Sequence, residues 1–427
     1  MITELKIENY KSIQDLTLDV GRVNVLIGEN GCGKSNILEA ITFAAAAEAN
    51  KLDNEFLKNR GIRVTEPQLM RSVFGDSDLK PITINLKYTN FSNFITYMLF
   101  NLNEPYSKWS CAEKNYLFDI MDVFEKDKSF HKNKKVRIPN RKENYRNSIA
   151  REKFISKYVK NGKSSVSNNI DKKLSIQTIK DFIIFSPENT ILRDFSKEAN
   201  IEPLGDKGEG LLNLLIYTQN DAIESQNFSE LNDIQETLEL FGWFESIKIP
   251  DDFSLLEKKI TIKDRYLEIP FDQRSANEGF LLVLFYITLV VSKYTPKIFS
   301  IDNIDTSLNP KLCTKLIKEL TRLAKKYDKQ VFVTSHNPAI LDGIDLGDEE
   351  QRLFVVSRNR DGHTRCKRID IKDKPKSSVR DRLSRVFEED KLYSKQDILN
   401  KFDNSEEPLK LSEAFLRGYL GGLPKGF

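Results

Sequence analysis

The chain has 427 residues, of which 39% are hydrophobic and 30% are charged, and its formal net charge is +3. This length is enough for one large α/β domain with an insertion or for two domains, and the composition supports a real core beneath a well-solvated surface. The near balance of positive and negative charges means that the chain as a whole is not a polycation. The longest apolar run, Phe280 to Val291, is far shorter than the ~20 residues that a membrane span needs.

Cysteine usage and the N-terminal pattern indicate the compartment. The N-terminal stretch MITELKIENY alternates and is charged, so it predicts neither a signal peptide nor a transit peptide. The cysteines lie far apart, with no CxxC pair and no nearby histidine to complete a zinc site. They are Cys32, Cys111, Cys313 and Cys366. We therefore expect free thiols and a cytoplasmic protein.

The first elements alternate between strands and a helix. ELKIENY and QDLTLDV repeat with period two, which predicts half-buried antiparallel strands. VNVLIG, Val23–Gly28, is continuously apolar and is typical of a central strand covered on both faces. A glycine-rich turn follows, and the alanine-rich stretch SNILEAITFAAAAEA predicts a helix. ITINLKY, Ile82–Tyr88, predicts a further strand of the opening sheet.

The second half of the chain shows the same alternation. Phe182–Phe185 predicts a buried strand, GLLNLLIY a helix, and KITIKDRYLEIPFDQ a hairpin. KIFSID, QVFVTSH and RLFVVS predict three more strands, and the helix between the first two begins at Pro310 with Asn309 as its cap. We therefore predict an α/β fold with a mostly parallel sheet, an antiparallel N-terminal β subdomain and a helical insertion.

The strongest motif is GENGCGKS, the phosphate loop from Gly28 to Ser35, which fits G-x-x-x-x-G-K-[ST] between a predicted strand and helix. Glycines let backbone N–H groups point at phosphate oxygens, and the helix N-terminus adds about half a positive charge. Lys34 is expected to reach the β- and γ-phosphates, and the Ser35 hydroxyl to bind Mg²⁺. The candidate nucleotide-binding residues in and after the loop are Gly28, Asn30, Gly31, Gly33, Lys34, Ser35 and Asn36.

Six segments together resemble a known family. LKIENYKSI, GENGCGKS, FSPEN, RSANEG, SIDNIDTSLNP and VTSHNPAIL follow one another as in ABC-type ATPase heads of the RecF, SMC, OLD-like and AAA_21 kind. The resemblance covers roughly residues 1–90 and 180–370. In that family two heads enclose two nucleotides, so it implies ATP and Mg²⁺ as ligands, and head dimers that can build higher assemblies such as hexamers.

The resemblance assigns roles to several further residues. SANEG, from Ser275 to Gly279, stands where a signature loop completes the partner's nucleotide site, although it departs from the usual Ser-Gly-Gly-Gln pattern; an ordinary helix cap is the alternative. His336 follows a strand, where the family places a histidine that senses the γ-phosphate. Ser307–Pro310 matches the loop by which one head touches the other. Gln68 matches the glutamine that links Mg²⁺ to the lateral lobe, with surface polarity as the alternative.

The segment after strand KIFSI raises the question of hydrolysis. The resemblance makes Asp302 a Mg²⁺-linked aspartate, but the next position, where a catalytic glutamate is expected, is Asn303. An amide can orient water but cannot take its proton, and removing a general base costs roughly 10²–10⁴ in rate. Either Asp305 serves as the base, or hydrolysis is slow and ATP holds two heads together. We favour slow hydrolysis.

A basic segment lies between the two halves of the resemblance. Fifteen Lys and Arg stand against three Asp and Glu between His131 and Lys180, which makes it a candidate DNA-binding surface, with a solvated lobe as the alternative. We therefore divide the chain into an N-terminal half-head (1–90), a basic insertion (91–180), a C-terminal half-head (181–370) and a helical extension for partner docking (371–427).

The resemblance also implies a biological role. Within the family, the segment DNIDTSLNP and the terminal LSEAFLRGYLGGLP resemble ATPase subunits of Septu-type and retron-associated anti-phage systems. This resemblance implies a separate HNH nuclease as the partner. Three scattered histidines cannot build an HNH site, so the effector is expected to be another chain. The alternatives are an active RecF-like DNA-repair ATPase and a structural scaffold with permanently bound nucleotide.

Overall fold

The structure is a computed structural model of the 427-residue chain, and it describes residues 1–74, 80–89, 91, 93–103, 108–112, 179–195, 204–250, 259–373 and 410–422. The chain forms two compact units. The first comprises Met1–Val20, Ser35–Ile184 and Pro296–Phe299, and the second comprises Gly21–Lys34, Phe185–Thr295 and Ser300–Phe427.

The first unit contains a five-stranded antiparallel sheet in the order β2-β1-β4-β5-β6. The period-two pattern of β1 and β2 places Leu5 and Ile7 in the core, so the predicted opening strands are confirmed. The strands are β1 (Ile2–Tyr10), β2 (Ile13–Asp19), β4 (Ile82–Tyr88), β5 (Ile95–Phe100) and β6 (Ser110–Ala112). Three helices fall largely in this unit: α1 (Lys34–Glu48), α2 (Asn54–Lys58) and α3 (Pro67–Met70).

The second unit is organised around a six-stranded mixed sheet in the order β14-β13-β3-β12-β11-β7. The central strand β3 is buried at all five residues and pairs in parallel with both β12 and β13, as its continuous apolar sequence predicts. Strand β14 pairs antiparallel with β13. The strands are β3 (Val23–Ile27), β7 (Ile184–Phe185), β11 (Ile298–Ile301), β12 (Gln330–Ser335), β13 (Gln351–Arg358) and β14 (Thr364–Ile369).

Helices and a small sheet complete the second unit. The predicted hairpin is confirmed as β9 and β10 of a three-stranded antiparallel sheet. The predicted cap is confirmed as well, because Asn309 accepts a hydrogen bond from the Leu312 N–H at 2.9 Å at the start of α8. The small sheet comprises β8 (Phe244–Lys248), β9 (Thr261–Asp264) and β10 (Phe271–Asp272). The helices are α4 (Asn189–Arg193), α5 (Leu211–Ser225), α6 (Ser229–Leu238), α7 (Glu278–Val291), α8 (Pro310–Lys326) and α9 (Leu411–Leu416), with 3₁₀ turns at Pro338–Gly343 and Ile371–Asp373.

The structure differs from the sequence prediction in four of the strands, β5, β6, β7 and β14. The strand predicted over Phe182–Phe185 is reduced to its last two residues, because the Arg60 guanidinium takes the carbonyls of Lys180 and Phe182 as acceptors at 2.9 Å each. Strands β5 and β6 lie within the predicted insertion and extend the first sheet. Strand β14 was not predicted, since its residues alternate too weakly in polarity.

Within the described ranges, every helix is too short or too polar to cross a membrane. All four cysteines lie in the described part of the chain, and none of them forms a disulfide there.

Candidate nucleotide-binding site

The phosphate loop leaves β3 and enters α1 at Lys34. Gly31 and Gly33 have φ angles of 77° and 109°, in the region that residues with a side chain rarely adopt. At Gly28 a Cβ would lie 2.1 Å from the carbonyl oxygen of Val356, so only a glycine fits against β13. The loop's backbone therefore depends on its glycines, as the motif predicts.

Lys34 lies inside the loop with 6% of its surface exposed. Its ammonium donates hydrogen bonds to the carbonyls of Gly28 at 2.7 Å and Glu29 at 2.9 Å. The Cys32 sulfur lies 4.0 Å from the same ammonium. Burial raises the pKa of the Cys32 thiol, and the nearby Lys34 charge partly opposes this. A lysine ammonium held inside such a glycine-rich loop is the cation that pairs with the phosphates of a nucleotide in the P-loop motif.

The hairpin of β13 and β14 supports the loop from one side. Arg358, at the end of β13, donates from Nε to the Gly31 carbonyl at 2.8 Å. The buried Thr364 hydroxyl donates to the Cys32 carbonyl at 2.9 Å. Sequence reasoning missed both residues, because their contacts join parts of the chain that are far apart in sequence. The signal that could have found Arg358 is its place at the carboxyl end of a strand.

Asp302 and Asn303 are held by Thr334 of β12. The Thr334 hydroxyl donates a hydrogen bond to Oδ1 of Asp302 and accepts one from the Asn303 N–H at 2.8 Å. The Asn303 side chain is exposed, and its φ is 54°, a left-handed conformation that asparagine tolerates better than glutamate. The residue at the expected position of the base therefore has both an amide and an unusual backbone.

Asp305 faces His336 inside the same unit. Oδ2 of Asp305 lies 3.5 Å from Nε2 of His336, and the two side chains are 3% and 54% exposed. Oδ1 of Asp305 is buried and accepts no hydrogen bond from the residues that the structure describes. Two neighbouring groups have raised pKa values, chiefly because they are buried and secondly because the Asp305 carboxylate is near. The pKa of the Cys313 thiol is raised to about 11, and that of the Tyr286 phenol is also raised.

The parallel register brings several predicted residues to one edge of the sheet. Ser335 of β12 pairs with Ile27 of β3, so His336 and Gly28 leave neighbouring strands at the same level. Thr334 ties Asp302 to that edge. The carboxyl ends of strands are where open α/β sheets bind ligands.

The signature segment, Ser275–Gly279, precedes α7. Asn277 caps this helix by accepting from the Phe280 N–H at 2.8 Å, and Ser275 is exposed just before it. Gly279 is buried, and a Cβ there would lie 3.0 Å from the Ser307 carbonyl. The structure thus gives Gly279 a packing reason against the loop Ser307–Pro310, and it leaves Ser275 available on the surface.

Three predicted residues fall in the first unit. Ser35 follows Lys34 directly in α1. The Asn36 amide donates to the Ser12 hydroxyl at 2.7 Å, and its oxygen accepts from Arg63 at 3.0 Å. Gln68 of α3 donates to Glu66 at 2.9 Å on the surface. These contacts hold Asn36 within its own unit, and roles for Asn36 and Gln68 at a nucleotide remain predictions.

The residues of the site suit a magnesium nucleotide. Only a glycine fits at position 28 against the Val356 carbonyl, and the loop carries a buried ammonium. Asp302 presents a carboxylate oxygen, the kind of hard ligand that Mg²⁺ prefers. Its role at a metal, like that of the Ser35 hydroxyl, remains a prediction. The mixed sheet and this loop are those of ABC-type ATPase heads, a class whose members use a nucleotide and typically Mg²⁺.

Comparison with known proteins gives the family. The chain belongs to the AAA_21 family, described as "AAA domain, putative AbiEii toxin, Type IV TA system", whose model matches residues 23–342. It is 42% identical over 55 residues to the DNA replication and repair protein RecF of Bacillus cytotoxicus and to that of Bacillus mycoides. Each match spans 13% of this chain and 15% of the relative.

Comparison with solved structures found similar chains. An SMC head bound to the C-winged helix domain of ScpA is similar with a TM-score of 0.50 at 15% identity, covering 87% of this chain and 98% of that one. A Pyrococcus furiosus SMC head with an extended coiled coil, bound to the C-terminal domain of ScpA, has a TM-score of 0.46 at 12% identity, covering 91% and 98%. The first of these supports the ABC-type head architecture, with its antiparallel and mixed sheets.

Proposed function

We propose that the chain binds ATP with Mg²⁺ at the phosphate loop and that ATP closes two copies into a head dimer. The observation that carries the proposal is the pair of Lys34, buried within a loop of backbone dipoles, and Ser275, exposed before the capped N-terminus of α7. A helix N-terminus favours a negative charge. Ser275 of one copy would therefore seal the γ-phosphate held by Lys34 of the other.

The dimer is proposed to be long-lived because hydrolysis is slow. Asn303 is exposed at the position where a base is expected, and its amide cannot accept a proton from water. The candidate replacement base, Asp305, has a buried side chain directed at His336. Its burial supports a role in positioning the histidine over a role in activating water from solvent. His336 would sense the γ-phosphate.

The head dimer is proposed to regulate a separate nuclease in an anti-phage defence complex. The support is the resemblance of the segment DNIDTSLNP and of the terminal LSEAFLRGYLGGLP to Septu-type ATPase subunits. The nuclease is expected to be of the HNH type. Residues 131–180 are the proposed DNA contact. Because residues 131–178 lie outside the described part of the chain, this proposal rests on the excess of Lys and Arg in the segment.

A DNA-repair ATPase of the RecF type is the second candidate. The observation that favours it is the 55-residue match to RecF at 42% identity. Under this alternative, turnover would be brisk and would depend on Asp305. A neighbouring HNH gene would favour defence, and neighbouring recombination or replication genes would favour repair.

Light scattering with and without ATP tests the proposal. We expect the wild type to double its mass with ATP and Mg²⁺, and Lys34→Ala and Ser275→Arg to remain unchanged in mass. Phosphate release measured on the same samples should be slow. A mass that does not respond to ATP, or brisk turnover abolished by Asp305→Ala, would reject the clamp. A gel-shift salt series on a variant with charge-reversed Lys134, Lys135 and Arg137 tests the DNA contact. If the slope of log affinity against log salt concentration is the same as for the wild type, these residues do not contact DNA.

A further inference from the structure

Thr334 makes three hydrogen bonds to three consecutive residues of the site. Its hydroxyl contacts Oδ1 of Asp302 and the Asn303 N–H, and its carbonyl accepts from the Ile304 N–H at 3.1 Å. Thr334 is completely buried in β12. A buried residue with this set of partners fixes the position of the whole turn after β11.

The two hydroxyl contacts determine where the proton lies. The Asn303 N–H can only donate, so it occupies a lone pair of the Thr334 oxygen. The hydroxyl hydrogen is then directed at the Asp302 carboxylate, as an acceptor that bears a charge. One oxygen of Asp302 is thereby oriented by Thr334. Its backbone is fixed as well, because the Asp302 N–H donates to the Phe185 carbonyl at 2.9 Å.

We propose that Thr334 is the positioning residue for magnesium at this site, acting through Asp302. The inference rests on the proposed binding of a magnesium nucleotide and adds a residue to it. Groups that hydrogen-bond to a metal ligand orient it, and their loss typically weakens metal affinity 10–100-fold. Thr334 also stands two residues before His336, so one strand carries both the support of Asp302 and the candidate γ-phosphate sensor.

The test measures the magnesium requirement of nucleotide binding, without hydrolysis. A fluorescent ATP analogue is titrated with the full chain at a series of Mg²⁺ concentrations and in EDTA. For Thr334→Val and Thr334→Ala, the Mg²⁺ concentration for half-maximal binding should rise about 10–100-fold, while binding in EDTA is unchanged. Thr334→Ser, which keeps the hydroxyl, should stay within about threefold of the wild type, well below that range.

Thr218 provides a matched control. It is also a buried threonine, and its hydroxyl bonds to the Leu214 carbonyl within α5 at 2.9 Å. Thr218→Val should leave the Mg²⁺ requirement unchanged. In an Asp302→Asn background, Thr334→Val should add no further effect, because the group it positions is gone.

Two results separate the possible failures. A Thr334→Val chain with the wild-type Mg²⁺ requirement, or one that loses as much affinity in EDTA as in Mg²⁺, contradicts the role of Thr334. A wild-type chain that binds no nucleotide in either condition contradicts the proposed function itself. Thermal unfolding of each variant in EDTA shows that the comparison is made on folded protein.

Discussion

Nε2 of His336 lies 3.5 Å from Oδ2 of Asp305, and the histidine is half exposed while the carboxylate is buried. This pair joins the loop after β11 to the end of β12, at the sheet edge that also carries the phosphate loop. A carboxylate that is occupied by a histidine and shielded from solvent is poorly placed to receive a proton from an attacking water. This geometry is the basis of the proposed slow turnover.

Asp305→Asn tests whether this carboxylate is the base. We expect ATP binding to be retained and the slow phosphate release to change by much less than the roughly 100-fold loss that removing a general base produces. Quantitative phosphate release under saturating ATP provides the measurement. A fall of 100-fold or more would identify Asp305 as the base and overturn the clamp.

Asn303→Glu should restore hydrolysis at a cost in stability. A carboxylate at this exposed position can accept a proton, and we expect faster phosphate release, with an upper limit of roughly 10²–10⁴. Because φ is 54° at this residue, glutamate should also lower the free energy of unfolding by about 1 kcal/mol.

Asn303→Gly is the control for this prediction. Glycine adopts the same φ without strain and brings no carboxylate, so the variant should be at least as stable as the wild type and no faster. A glycine variant that hydrolyses ATP as fast as the glutamate variant would show that loop mobility, and not a missing base, limits the wild type.

Gly28→Ala should damage the phosphate loop. The added methyl group would meet the Val356 carbonyl at 2.1 Å, so β13 or the loop must shift, and we expect a loss of about 1–3 kcal/mol of unfolding free energy together with weakened ATP binding. Gly242→Ala is the matched control, because a Cβ there meets nothing within 4 Å. Equal behaviour of the two variants in nucleotide titration and denaturant unfolding would contradict the predicted contact.

Asp206 makes stability depend on pH. Burial first, and then Glu209 and Glu188, raise the pKa of Asp206 to about 6, while Lys207 opposes them. The folded chain therefore holds a proton between pH ~4 and 6 that the unfolded chain releases, and stability falls as pH rises through this window. Asp206→Asn should stabilise the fold by about 1 kcal/mol above pH 6.5, after allowance for partial exposure, with the gain vanishing near pH 4.

Denaturant unfolding of wild type and Asp206→Asn at pH 4, 5, 6 and 7.5 measures this effect. Glu224→Gln serves as a control on the exposed end of α5 and should show no such trend. A gain for Asp206→Asn that is constant with pH would mean that charge on Asp206 is not its cause.

Local patterns predicted much of the fold. The period-two strands β1 and β2, the continuous run of β3 and the Asn309 cap of α8 each depend on neighbouring residues, and the structure has them as predicted. The phosphate loop could also be predicted from the sequence, because the φ angles at positions 31 and 33 require glycines, and the glycines are part of the motif.

Contacts between residues far apart along the chain could not be predicted from the sequence. Thr334, Arg358 and Thr364 contribute to the site through hydrogen bonds to residues far away along the chain, and a threonine within an apolar strand gives no local sign of such a partner. The left-handed φ of Asn303 was also hidden, although it offers a conformational reason for an asparagine there. The sequence showed that the expected base was missing, and the structure shows how the asparagine is held.

The most direct test of the ATP-clamped dimer mixes two variants. Lys34→Ala lacks the phosphate ligand, and Ser275→Arg lacks the sealing loop, so neither should dimerise with ATP alone. Their equimolar mixture contains one composite site with both elements intact, and light scattering should show ATP-dependent heterodimers with one nucleotide for two chains. A mixture that stays monomeric while the wild type dimerises, or Ser275→Arg that dimerises alone, would contradict the account.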